Sequence, residues 1–301
     1  MFGEQGRKAA DRLRSLLVVS APECPAYANQ QQNCKCVVTA FPHQRIEPEQ
    51  AHGGYEVRSK LGVSLLVAAA GMLTAATEAP QGYLPVGARP RLTEVLPPPP
   101  SPGSARAEAD RRLFVESREL EGSPRWERAT SDVTGSMFRH FSCALGIEPT
   151  EKDAPALTRL LDRAGLDRSA VGHAKSHYQT VRPWVDNDLP ICEPRTEHLA
   201  GNGDYPSGHA AHGQHVAMIL AAIAPDRSTE LLARGREFGE SRWICGSHSQ
   251  SAAEAGLLAG AAIFSAELNS AEFRRDLEAA RSELALLRAR SSARPAQCTE
   301  H

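Results

Sequence analysis

Residues 204–224 read DYPSGHAAHGQHVAMILAAIA. Pro206-Ser207-Gly208 ahead of an apolar run marks a helix start, with Ser207 as the residue that caps it. First-turn N–H groups lack partners within their own helix, and the helix dipole is positive at that end, so such a start can receive an anion. Gly208 lets an anion approach the backbone closely, and His209 in the first turn points to the same place. His212 and His215 follow at three-residue steps, which invites a metal reading. Steps of three drift around a helix and no carboxylate partner is obvious, so both are read as structural or surface histidines.

The chain around this stretch has the same helical texture. Ala, Leu, Arg and Glu dominate, and alternating β-branched runs are missing. Helices are predicted near 105–120, 124–146, 154–164, 167–180, 207–223, 227–243, 248–268 and 270–290, divided by Gly, Pro, Asn and Asp. The expected fold class is all-α, one compact multi-helix domain over 105–290, followed by a tail at 291–301. Residues 80–104, with prolines at 97–100, read as an extended Pro-rich lead-in without helix or strand.

Before the lead-in, Arg58-Ser59-Lys60 precedes the apolar run LGVSLLVAAAGML (61–73) and the small residues Thr74-Ala75-Ala76. This is the composition of a secretory signal peptide, assigned to 57–79. A leader in that place implies a translation start near Val57, with residues 1–56 a start-site misassignment or a disordered extension. Cys24, Cys34 and Cys36 in that extension lack a matching second pair for a metal site. Export would leave Cys143, Cys192, Cys245 and Cys298, an even number, with three pairings open. The 301 residues carry a net charge of −2, so nothing in the overall charge calls for nucleic acid or an anionic membrane. Any anion site must be a local cluster.

Two more segments concentrate informative residues. Residues 241–256 read SRWICGSHSQSAAEAG, placing Arg242 six residues before His248. On one straight helix these would diverge by about 240°, so Gly246 is expected to break the chain between them. Upstream, Lys175 and Arg182 are two turns apart on one predicted helical face, and Pro183 is expected to end that helix. Lys175, Arg182 and Arg242 supply three cations, Ser207 and Gly208 a hydroxyl and backbone donors, His209 and His248 two imidazoles. The set suits a phosphate-sized dianion.

The order Lys175–Pro183 (K-x6-RP), Pro206–His209 (PSGH) and Ser241–His248 (SR-x5-H) resembles the signature of the PAP2 phosphatase/haloperoxidase superfamily. GSPRW at 122–126, AKSHY at 174–178 and RGREFGESRWICG at 234–246 look like the bacterial class A non-specific acid phosphatases, and the likeness covers roughly 97–290. The resemblance implies metal-independent hydrolysis of small phosphomonoesters with no cofactor. His248 would attack phosphorus and form a phosphohistidine, and His209 would protonate the leaving alkoxide. Lys175, Arg182, Ser207, Gly208 and Arg242 would cradle the phosphate. It further implies a periplasmic or secreted, often homo-oligomeric protein that acts without nucleic acid or, once mature, membrane.

One position departs from the pattern. The family continues H-x3-D, and here Ala252 stands where the aspartate is expected. Ser249 stands where an aromatic is usual, and Glu254, six residues after His248, faces away on a helix. A carboxylate beside the imidazole would fix its tautomer and stabilise its cation. Its loss leaves a weakened phosphatase, a site using another carboxylate, or a degenerate phosphate-binding relative. A vanadium-dependent haloperoxidase on the same scaffold is the remaining reading.

Overall fold

Ser207 caps its helix as expected, its hydroxyl accepting from the Ala210 N–H at 3.3 Å. The helix it starts, Gly208–Ile223, buries residues on every side, among them Ala210, Ala211, His215, Val216, Ile219 and Leu220, which makes it the central element. The computed structural model describes residues 81–290 together with 295 and 298. The leader expected at 57–79, the extension 1–56 and most of the tail lie outside the described residues.

The elements in chain order are α1 (Leu92–Val95), α2 (Ala105–Glu116), α3 (Pro124–Ser131), α4 (Met137–Leu145), α5 (Pro155–Asp167), α6 (Ser169–Tyr178), α7 (Glu197–Gly201), α8 (Gly208–Ile223), α9 (Ser228–Ile244), α10 (Gln250–Glu267) and α11 (Ala271–Arg290). The described residues contain no strand, and the fold is all-α as expected. No single helix among them is long and apolar enough to cross a membrane.

Helix α8 packs between α9 and α10, while α5 packs against α11. The larger core cluster includes Phe141, Leu157, Leu160, Ile219, Leu231 and Phe273, each fully buried. Each such side chain contributes about 1.5–3 kcal/mol by leaving water. Close approach of α10 to α8 depends on missing side chains: a Cβ on Gly256 would lie 2.5 Å from the Ser207 carbonyl oxygen, and one on Gly260 would strike the Ala211 carbonyl. Helix α11 also caps α5, since Glu283 accepts from the Ala156 and Leu157 N–H groups at 2.9 Å each.

Three expectations about helices need correction. The helix expected over 124–146 is two, because the chain turns at 132–136. Gly135 there has φ 116°, and Ser136 caps α4 through the Phe138 N–H. The lead-in contains a 3₁₀ turn at Val86–Ala88 and α1, with Tyr83, Leu84, Leu92 and Leu96 buried. It folds onto the domain because the Tyr83 N–H donates to Asp167 at 2.7 Å and the Tyr83 hydroxyl to Asp276 at 2.9 Å. Finally, α6 ends at Tyr178, where Gln179 takes a left-handed conformation at φ 48°. Arg182 therefore lies in the following loop, on no shared helical face with Lys175.

The cysteines pair Cys143–Cys298 and Cys192–Cys245. The second closes a loop of 53 residues that contains the PSGH segment, worth about 4 kcal/mol in lost unfolded-chain entropy.

His215 is structural, as expected, and it has a carboxyl partner that the sequence did not reveal. Its Nε2 lies 2.7 Å from Glu267 in a fully buried pair. Burial, and then the nearby Asp167, push the Glu267 carboxyl up to about 9, while burial holds His215 down to about 3. Glu267 is therefore a neutral acid donating to a neutral imidazole. Because its folded pKa exceeds the unfolded value of 4.5, the folded state keeps a proton that the unfolded chain releases, and stability falls as pH rises from 4.5 towards 9. Glu267→Gln keeps a donor and removes that loss. Its melting temperature relative to wild type is expected to rise between pH 5 and pH 8 in thermal unfolding; a difference independent of pH would contradict the assignment.

Candidate active site

The site forms where the start of α8, the α9–α10 turn and the loop after α6 meet. The α9–α10 turn is shaped by Arg118, whose guanidinium donates to the carbonyls of Ile244 (2.5 Å) and Cys245 (3.0 Å) at the end of α9. Gly246 breaks the chain as expected, with φ 82°, and a Cβ there would collide with Arg118. Ser249 then caps α10 through the Ala252 N–H at 3.2 Å. His248 is thereby held just ahead of α10, 2% exposed. Ser241 of the same motif anchors α9 by donating to buried Asp132 at 2.7 Å.

The His248 ring is held at both nitrogens. Nδ1 lies 2.9 Å from Asp204 Oδ1, and Nε2 lies 3.0 Å from Arg182 Nη1. An ionised carboxylate only accepts, so Nδ1 carries the hydrogen and Nε2 presents its lone pair. Asp204 also accepts from the Ser249 N–H (3.1 Å) and hydroxyl (2.6 Å). Its backbone is fixed by its own N–H to the Thr180 carbonyl (3.0 Å). Position 252, where the pattern expects a carboxylate, holds a fully buried Ala252 whose carbonyl accepts from the Ser207 N–H at 2.8 Å. Glu254 points away to Arg106 at 2.5 Å, as its spacing predicts.

The expected cations converge on the same place. Lys175 Nζ donates to the Asn202 (3.0 Å) and Gly203 (2.7 Å) carbonyls. Arg182 donates to the Ser247 carbonyl at 2.8 Å. Arg242 is fully buried, and one of its nitrogens pairs with Glu193, which also accepts from the Ser247 hydroxyl. Arg242 Nε and Nη1 and Arg182 Nε are buried without a hydrogen-bond partner among the described residues. Unpartnered guanidinium N–H groups are costly unless an anion uses them. The Cys192–Cys245 disulfide, together with the Cys192 N–H to the Cys245 carbonyl (3.1 Å), holds Glu193 beside Arg242.

These surroundings shift the titrations. Burial, then the Arg182 and Lys175 charges, keep His248 well below its usual value, so it is neutral. Burial pushes the Asp204 carboxyl up to about 6, against the Ser249 donors and the Arg182 charge. His209 keeps solvent contact, but the surrounding protein and then Arg242 push it down to about 4, against Glu193 and a hydrogen bond to the Val133 backbone. Burial, and then Arg182, lower Lys175 to about 7. Burial works upward on Glu193, yet the Arg242 charge and the Ser247 hydroxyl hold it below the usual carboxylate range.

Sequence reasoning missed Asp204 and Glu193. Asp204 meets an imidazole 44 residues further along the chain. Glu193 adjoins Cys192, and only the disulfide pairing brings it to Arg242.

Comparison with known proteins agrees with this geometry. The PAP2 superfamily pattern matches residues 160–276, which hold all the expected site residues. An acid phosphatase of Zymomonas mobilis is 40% identical over 203 residues, covering 66% of this chain and 76% of its own. Non-specific acid phosphatases of Salmonella typhimurium (38% over 197 residues, 63% and 78% covered) and Providencia stuartii (35% over 200 residues, 64% and 81%) are also similar. A three-part signature carried on one all-α scaffold, and relatives matched over most of their length, mean that this chain belongs to the PAP2 superfamily.

Proposed function

We propose that this chain is an acid phosphatase that hydrolyses small phosphomonoesters without a metal, through a phosphohistidine on His248 and with Asp204 as the carboxylate that orients it. The observation that carries the reading is the His248 ring itself. One nitrogen is tied to a carboxylate, and the other faces a set of buried guanidinium groups with unused N–H donors.

The steps follow from these positions. A phosphoryl group seated at the α8 start accepts the N–H donors of its first turn, Lys175, Arg242 and the N–H that Arg182 otherwise spends on His248. Nε2, released as a free lone pair, attacks phosphorus opposite the ester oxygen. Asp204 compensates the positive charge that appears on the imidazole. His209, at the open side, gives its proton to the departing alkoxide and takes one back from the water that hydrolyses the phosphohistidine. Fixed cations meet the charge spread over the equatorial oxygens. Glu193 keeps Arg242 in place and occupies one of its donor faces, leaving the other for the anion. The alternative of a degenerate binding relative rested on Ala252, and a carboxylate on the imidazole from another position removes that motive.

The working form needs Asp204 ionised and His209 protonated. With one raised to about 6 and the other lowered to about 4, both conditions coexist most often halfway between, at about pH 5. The relatives' names as acid phosphatases accord with this. Lys175 adds a second dependence, being charged below its pKa of about 7 and neutral above it. KM for p-nitrophenyl phosphate is therefore expected to rise about tenfold between pH 6 and pH 8, with turnover unaffected by exhaustive chelation. Loss of turnover on chelation, or a KM flat across that range, would count against the proposal. Export to an oxidising compartment is part of the same reading, supported by the two disulfides and the leader-like run at 61–73.

A further inference from the structure

A cavity of about 250 Å³ opens beside the phosphate position, between α6 and α8. Its lining has two ends. Lys175, His209 and Asn202 lie at the phosphate end, and Arg168 and His212 at the other. Arg168 precedes Lys175 by two helical turns, about 10 Å along the axis, and His212 follows His209 by one turn, about 4.5 Å. Between the two ends the lining includes Gly172, where an added Cβ would meet nothing within 4 Å, so the channel stays open along α6. A leaving group protonated by His209 at one end extends towards Arg168 at the other.

No hydrogen bond or ion pair among the described residues uses up the charge of Arg168. Its Nε is buried without a hydrogen-bond partner among the described residues. The acidic side chain acting on it is Glu267, which carries a proton below about 9 and so does not neutralise it. Asp167, its chain neighbour, is taken by the Tyr83 and Leu84 N–H groups. His212 beside it is kept neutral, chiefly by burial and then by Arg168, and can offer an N–H. A guanidinium with an unpartnered buried Nε next to a neutral imidazole, in a cavity that also reaches Lys175 and His209, has the chemistry to receive a second anion.

We infer that this cavity is the leaving-group subsite, and that Arg168, assisted by His212, selects phosphomonoesters whose leaving group carries an anion of its own, a carboxylate or a second phosphate, a few bonds from the ester oxygen. The inference rests on the phosphatase reading above and narrows its substrate class.

The test compares 3-phosphoglycerate with glycerol 3-phosphate. Both place phosphate on a three-carbon chain, and they differ in a carboxylate against a hydroxymethyl group. Wild type is expected to favour 3-phosphoglycerate about tenfold in kcat/KM, and Arg168→Gln to reduce that ratio to near one, with Arg168→Lys in between. A ratio unchanged in Arg168→Gln overturns the subsite. If that variant does not fold, a wild-type ratio at or below one overturns it equally. Wild type that hydrolyses neither of these nor p-nitrophenyl phosphate defeats the phosphatase reading itself. Turnover of glycerol 3-phosphate without preference for the carboxylate defeats the subsite alone.

Discussion

Replacing His248 with alanine is expected to lower turnover of p-nitrophenyl phosphate by about 10⁵-fold, the scale on which loss of a covalent nucleophile registers. The size follows from the lack of a substitute. Cys245 is committed to a disulfide, the Ser247 hydroxyl donates to Glu193, and the Ser249 hydroxyl donates to Asp204. His209 sits on the open side, where the proposed mechanism has it serve the leaving oxygen rather than attack phosphorus. Asp204 keeps its two Ser249 donors in the variant, so the local fold should survive, and inorganic phosphate should still raise the melting temperature. Turnover within tenfold of wild type would remove His248 from the mechanism.

Asp204→Asn is expected to reduce kcat by about 10²–10⁴-fold, by analogy with neutralising the carboxylate that orients the histidine of a serine-protease triad. The amide keeps the shape and an acceptor but supplies no charge to oppose the imidazolium. Two further readouts separate this from a merely structural loss. Asp204 acts ionised while His209 acts protonated, so wild-type activity falls on the acid side of its optimum near pH 5, and the variant should lack that limb. Restoring the carboxylate from the position the family pattern uses, as Asp204→Ala with Ala252→Asp, should recover activity relative to Asp204→Ala alone. Ala252→Asp in an otherwise wild-type chain should be harmful, since it forces a second carboxylate into a fully buried place beside the first. An Asp204→Asn variant with wild-type kcat and an unchanged pH profile would contradict the orienting role.

The chain disclosed much of this through local chemistry. The cap at Ser207, the break at Gly246 and the all-α texture depend on neighbours in sequence, and they hold in the structure. The motif order also brought Lys175, Arg182, Arg242, His209 and His248 into one place. Where the reading failed, tertiary contact decided. Lys175 and Arg182 share no helical face, because the left-handed Gln179 ends α6 early, and the two meet through the Asn202 carbonyl instead. Along the helix that follows His248, position 252 is alanine and Glu254 faces away, so the carboxylate comes from another segment. Asp204 was already in the stretch that decided the fold, three residues before the cap. The signal that pointed to it was a pair of departures: alanine at 252, together with a small hydroxyl at 249 that bonds Asp204. Glu193 was out of reach, because three cysteine pairings were open and only one of them carries it to Arg242.

The most direct test of the account is to trap the phosphoenzyme. Wild type mixed with a radiolabelled phosphomonoester near pH 5 and quenched in alkali within milliseconds should carry an alkali-stable, acid-labile label on the peptide containing His248, and His248→Ala should carry none. No label during steady turnover, or a label on any other residue, would contradict attack by His248.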